Sequence, residues 1–89
     1  MLPSTSTAPL QLGSNIAEIA AIIRKDWANV YFGAIPYLNA MSVLPSVDAT
    51  FGQDSARSIV QYFLGNARTW RGPVAKQVKA HLNQLLENG

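Results

Sequence analysis

Four stretches of the chain repeat apolar residues at three- and four-residue intervals, the spacing that gathers side chains on one face of a helix. The clearest is DSARSIVQYFLGNARTWRG, from Asp54 to Gly72. Within it Ala56, Ile59, Val60, Phe63 and Ala67 share a face, and Arg57, Ser58, Gln61 and Tyr62 fall opposite. Asp54 or Ser55 supplies the cap, because a short side-chain oxygen accepts a free N–H of the first turn. Gly65-Asn66 weakens the last turn, so this helix ends near Asn66 or continues to Trp70.

The first helix begins at Asn15, which forms a capping-box pattern with Glu18. Ile16, Ile19, Ala20, Ile23 and Trp27 form its apolar face, with Ile22 at the edge. The indole N–H of Trp27 needs a partner, which places that side chain at the core boundary. Asn29 to Gly33 breaks the pattern, with Gly33 as the turn. A short helix from about Ala34 to Leu44 follows, with Pro36 in its first turn and Pro45 ending it. Its stripe is Ile35, Leu38, Met41 and either Leu44 or Ala40. Residues 46–52 form a loop anchored by Val47 and Phe51. The last helix runs from about Pro73 to Glu87, with Val74, Ala75, Val78, Leu82, Leu85 and Leu86 inward and Lys76, Lys79 and Asn83 outward. Gly72 or Thr69 stands near its cap.

These elements predict an all-α fold, a compact bundle of about four short helices after a disordered N-terminal arm. The arm is residues 1–13 and the single helical domain residues 14–89. Two prolines, a Ser/Thr run and no charge give the arm no period of its own. It lacks the basic start and continuous apolar run of a secretion signal. Leu10 and Leu12 are expected not to dock on the domain.

Composition narrows the chemistry. The 89 residues hold no cysteine, one histidine and five acids, which excludes a disulfide framework and disfavours a protein-ligated zinc site. No apolar run approaches the ~18–20 residues of a membrane span. The net charge is +2, but Arg57, Arg68, Arg71, Lys76 and Lys79 all lie after residue 50, where only Asp54 and Glu87 oppose them. The positive excess is therefore C-terminal.

Catalysis finds little support. His81 sits beside the apolar stripe of the last helix and reads as a boundary residue, hydrogen-bonded or half solvated. Asp48 and Asp54 are separated by a loop, and Asp54 reads as a cap. No phosphate-cradling glycine pattern is present. The expectation is a non-enzymatic protein without a cofactor.

Two binding modes remain. Arg68, Trp70 and Arg71 interleave cation and aromatic at the junction before the last helix, and Lys76 and Lys79 follow. Together with the aromatics Tyr31, Phe32 and Tyr37 they fit a protein-binding surface, where tryptophan, tyrosine and arginine dominate affinity. The same basic end could meet phosphates in a helix-turn-helix arrangement, with the last helix as reader. Against that, the net charge is small and the outward residues of that helix form an ordinary solvated face. Trp70 itself fits a lid over the core better than a stacking platform.

From about Ile16 to Leu86, the segments RKDWANVYFGAIPYLNAM, DSARSIVQYFLGNARTWRG and AKQVKAHL resemble small proteins of actinobacterial phages and related mobile elements. Pro73 stands where that group suggests a polar or acidic residue. The resemblance carries no functional residues. It implies a context, a small cytoplasmic protein that acts on a host component. The combined expectation is an adaptor or host-modulating protein that binds another protein, or itself as a homodimer, through Arg68, Trp70, Arg71, Lys76 and Lys79. A small DNA-binding protein using the same end is the alternative.

Overall fold

The computed structural model describes residues 12–88 and contains four α-helices and one short hairpin. Helix α1 spans Ile16–Asp26, α2 Ile35–Met41, α3 Ala56–Gly65 and α4 Pro73–Asn88. Strands β1 (Thr50–Phe51) and β2 (Asp54–Ser55) pair antiparallel, Thr50 opposite Ser55 and Phe51 opposite Asp54. The expectation of a purely helical chain is therefore corrected. A strand of two residues has no length over which to show alternation, so periodicity could not reveal it. Its turn begins at Gly52, whose φ of 63° supplies the left-handed residue that a tight hairpin needs.

Local sequence explains where the longer helices start. The Asn15 side chain accepts the Glu18 N–H at 3.2 Å, and the Ser55 side chain accepts the Ser58 N–H at 3.1 Å. Ser55, rather than Asp54, is the cap of α3. Each such cap is worth about 1 kcal/mol against alanine. A second free N–H of α1, that of Ala17, donates to the Leu44 carbonyl at 2.8 Å and ties the turn after α2 to the start of α1. Helix α3 stops at Asn66, whose side-chain amide turns back to the Tyr62 carbonyl.

Each helix turns inward the stripe that its spacing marks out, Val74, Leu85 and Leu86 of α4 being only half-buried, with one outright exception. Ile16, Ile19, Ala20 and Ile23 of α1 meet Ala56, Ile59, Val60 and Phe63 of α3 and Ala75, Val78 and Leu82 of α4 in one core. A fully buried Leu, Ile or Phe contributes roughly 1.5–3 kcal/mol over its exposed state. The exception is Ile35, predicted inward but 41 % exposed. The inward row of α2 is instead Ala34, Leu38 and Met41, and Ile35 lies about 100° round the helix from Ala34. The helix is also shorter than predicted, because a 3-10 turn at Phe32–Ala34 precedes it and turns follow from Ser42.

Two loop residues behave unequally. Val47 is buried as an anchor, whereas Phe51 is exposed. Arg57 holds this region together, donating to Asp48 Oδ1 and to the Leu86 carbonyl, both at 3.0 Å. A guanidinium at the last turn of α4 also suits the negative end of the helix dipole. At the other end of the chain, Leu12 is half-buried against the core, and the Gly13 carbonyl lies 2.7 Å from His81 Nε2. Leu12 thus docks, contrary to the expectation from sequence. Leu10 lies outside the described residues.

Candidate functional site

The segment from Asn66 to Gly72 joins α3 to α4 and decides where the basic residues go. Trp70 N–H closes a turn onto the Ala67 carbonyl at 3.1 Å, which leaves Arg68 and Thr69 at its exposed corner. Trp70 turns inward to 2 % exposure. Its ring stacks on Trp27, with centroids 5.8 Å apart and planes 13° from parallel, and its Nε1–H donates to Asp26 Oδ2 at 2.8 Å. The indole so satisfied by the last residue of α1 is that of Trp70; Trp27, expected at the core boundary, is itself buried. Trp70 offers no contact surface, and its place among the predicted contact residues becomes that of the lid beneath them.

The remaining four predicted residues divide between two shallow depressions. Arg71, Lys76 and Lys79 line one of about 410 Å³ with Gly72, Pro73 and Ala75 over the Trp70 edge. Lys79 is turned back onto the protein: its Nζ donates to the Trp70 carbonyl at 2.6 Å and lies 5.9 Å from the Trp70 ring centre. Partial burial, aided by the nearby Arg71 charge, holds its ammonium below the usual lysine range. Arg71 and Lys76 remain exposed beside it.

Arg68 belongs to the second depression, of about 290 Å³, which it lines with Tyr31, Gly65, Asn66 and Thr69. Tyr31, one of the aromatic pair noted in the sequence, thus meets an arginine that follows it by more than thirty residues. Tyr31 and Phe32 stand side by side, ring centres 4.9 Å apart, and Phe32 is 76 % exposed. Ile35, three residues on from Phe32, is also exposed. Tyr37 lies against Tyr62 of α3, ring centres 5.5 Å apart and planes tilted by 39°, and is only half-buried. Asn66 and Thr69 were read from sequence only as helix-end residues. They accompany Arg68 in the same connection, and what brings Tyr31 to all three is the packing of α2 on α3, which no local spacing records.

Gly33 is what lets these pieces approach. A Cβ there would stand 2.6 Å from Tyr31 Cε2 and 2.9 Å from Asn66 Oδ1, closer than atoms tolerate. Gly33→Ala is expected to swing Tyr31 away from the Arg68 depression, at a stability cost of about 1–3 kcal/mol for overpacking. Amide resonances of Tyr31 and Asn66 in a heteronuclear spectrum would move. Unmoved resonances would show that the close approach does not set the ring position.

The arrangement suits recognition. An exposed guanidinium can receive a carboxylate through two parallel N–H bonds, and a neighbouring exposed phenyl ring gains by being buried. Of the candidate acid–base groups, His81 pairs with the Gly13 carbonyl and Asp48 with Arg57, and Asp54 stands exposed in the hairpin. Among the described residues no cluster of His, Asp and Glu could hold a metal, and no helix is long and apolar enough to cross a membrane. No protein-family model, curated protein or solved structure matches the chain.

Proposed function

We propose that this chain is a non-enzymatic protein-binding module, with its contact surface where Tyr31 and Phe32 meet Arg68. The observation that carries this reading is the exposure of Phe32, 76 %, beside a depression shared by Tyr31 and Arg68. A large apolar ring left in water next to a tyrosine and an arginine is the composition of an interface hot spot. Arg71 and Lys76 extend the surface along the start of α4. The resemblance to phage proteins supplies a context, a cytoplasmic adaptor or modulator of a host component.

The DNA-binding alternative has less support. The connection between α3 and α4 covers residues 66–72, longer than the about three- to four-residue turn of a helix-turn-helix. On the proposed reading helix, Lys79 is committed to the Trp70 carbonyl and Asn83 to the Lys79 carbonyl.

The test is affinity capture from nuclease-treated lysate of the cell that makes the protein, using wild type, Arg68→Ala and Lys25→Ala. A discrete protein retained by wild type and Lys25→Ala, and depleted roughly tenfold by Arg68→Ala, is expected. Equal recovery by Arg68→Ala would remove the site, and recovery abolished by nuclease would favour the nucleic-acid reading.

A further inference from the structure

We propose that the partner is acidic: a protein segment that sets a carboxylate against the Arg68 guanidinium and an apolar side chain against Phe32. This rests on the protein-binding reading and adds the partner's charge to it. The argument comes from how the chain spends its cations. Arg24 donates to Asn39, Arg57 is shared between Asp48 and the Leu86 carbonyl, and Lys79 is bonded to the Trp70 carbonyl. Lys25, Arg68, Arg71 and Lys76 are exposed and make no side-chain hydrogen bond or ion pair with the described residues. Three of these four gather between residues 68 and 76, where no acidic residue lines either depression, whereas Lys25 lines a depression with Asp26.

A second copy of the chain fits this surface poorly. In a two-fold dimer the same patch meets itself, so a patch with unpaired cations and no acid would face like charge. Nucleic acid fits poorly as well. Binding through phosphates neutralises them with lysine and arginine, and only Arg68, Arg71 and Lys76 stand free at this end of the chain. A carboxylate-bearing protein segment satisfies both halves of the site: the fork of Arg68 takes the acid, and Phe32 with Tyr31 takes the apolar neighbour.

The test titrates the isotope-labelled full chain with a short amphipathic helical peptide carrying leucine on one face and glutamate on the other. A version with lysine in place of glutamate, and mixed-sequence duplex DNA, serve as comparison probes. The acidic peptide is expected to move the amide resonances of Tyr31, Phe32 and Arg68, more weakly as salt rises. Arg68→Glu is expected to reduce affinity at least about tenfold, while Lys25→Glu, the same change of charge outside the Tyr31–Arg68 depression, leaves it within about twofold. If the lysine peptide moves the same resonances equally well, the inference about charge is overturned and the protein-binding reading stands. If only DNA moves them, both are overturned. No response to the acidic peptide, or a response indifferent to Arg68→Glu, overturns the acidic partner.

Discussion

Trp70→Ala is expected to lower the unfolding midpoint by more than about 12 °C, or to leave the chain largely unfolded. Trp70 is among the largest fully enclosed side chains, and truncating a core tryptophan typically costs about 3–5 kcal/mol. At about 0.05–0.15 kcal/mol per residue, the whole 89-residue chain has only roughly 4–13 kcal/mol to lose. The loss is not confined to one contact. Removing the indole exposes the facing ring of Trp27, ends the bond from Nε1 to Asp26 Oδ2, and takes away the ring beneath Lys79 Nζ. Because Asp26 is exposed, water takes over its acceptor role, so the cost is chiefly that of the cavity. Trp70→Phe keeps most of the volume and is expected to recover about half of the loss. Thermal unfolding followed by circular dichroism measures both. A shift below about 4 °C for Trp70→Ala would mean that the tryptophan pair does not organise the core.

The second large effect falls on binding and leaves the fold intact. Phe32→Ala combined with Arg68→Ala is expected to weaken partner binding by about a hundredfold or more, since two central hot-spot residues are removed together. Both side chains are exposed, so stability should change by less than about 0.5 kcal/mol. The pairing of results matters more than either alone. Titration calorimetry against the captured partner gives the affinity, and thermal unfolding gives the stability. The two substitutions need not add, because Tyr31 touches both neighbourhoods. Affinity within about threefold of wild type would place the contact surface elsewhere.

Much of this fold was legible residue by residue. The starts of α1 and α3 follow from Asn15 and Ser55, whose side chains find the N–H groups three residues ahead. Their buried faces follow from spacing, because each helix is long enough for the period to repeat. Ile35 shows where spacing fails. In a helix of seven residues the rows through 34 and through 35 cannot be told apart, and only packing on α3 selects the first. The hairpin at 50–55 fails for a related reason, being shorter than the signal that would announce it.

The candidate site was half legible. Arginine and tryptophan adjacent in sequence suggested one basic, aromatic patch. Adjacency in a turn, however, sends neighbours in different directions. Arg68 faces Tyr31, Trp70 enters the core, and Arg71 faces Lys76. The aromatic half of the surface comes from the 3-10 turn before α2, and its meeting with Arg68 is a product of tertiary packing.

The most direct measurement of the central claim is site-specific photo-cross-linking. A photoreactive residue placed at Phe32 is compared with the same residue at Gln53, an exposed position on the hairpin turn. The account predicts a discrete, protease-sensitive and nuclease-resistant adduct from position 32 and none from position 53. No adduct at 32, or equal adducts at both positions, would contradict a partner surface built from Tyr31, Phe32 and Arg68.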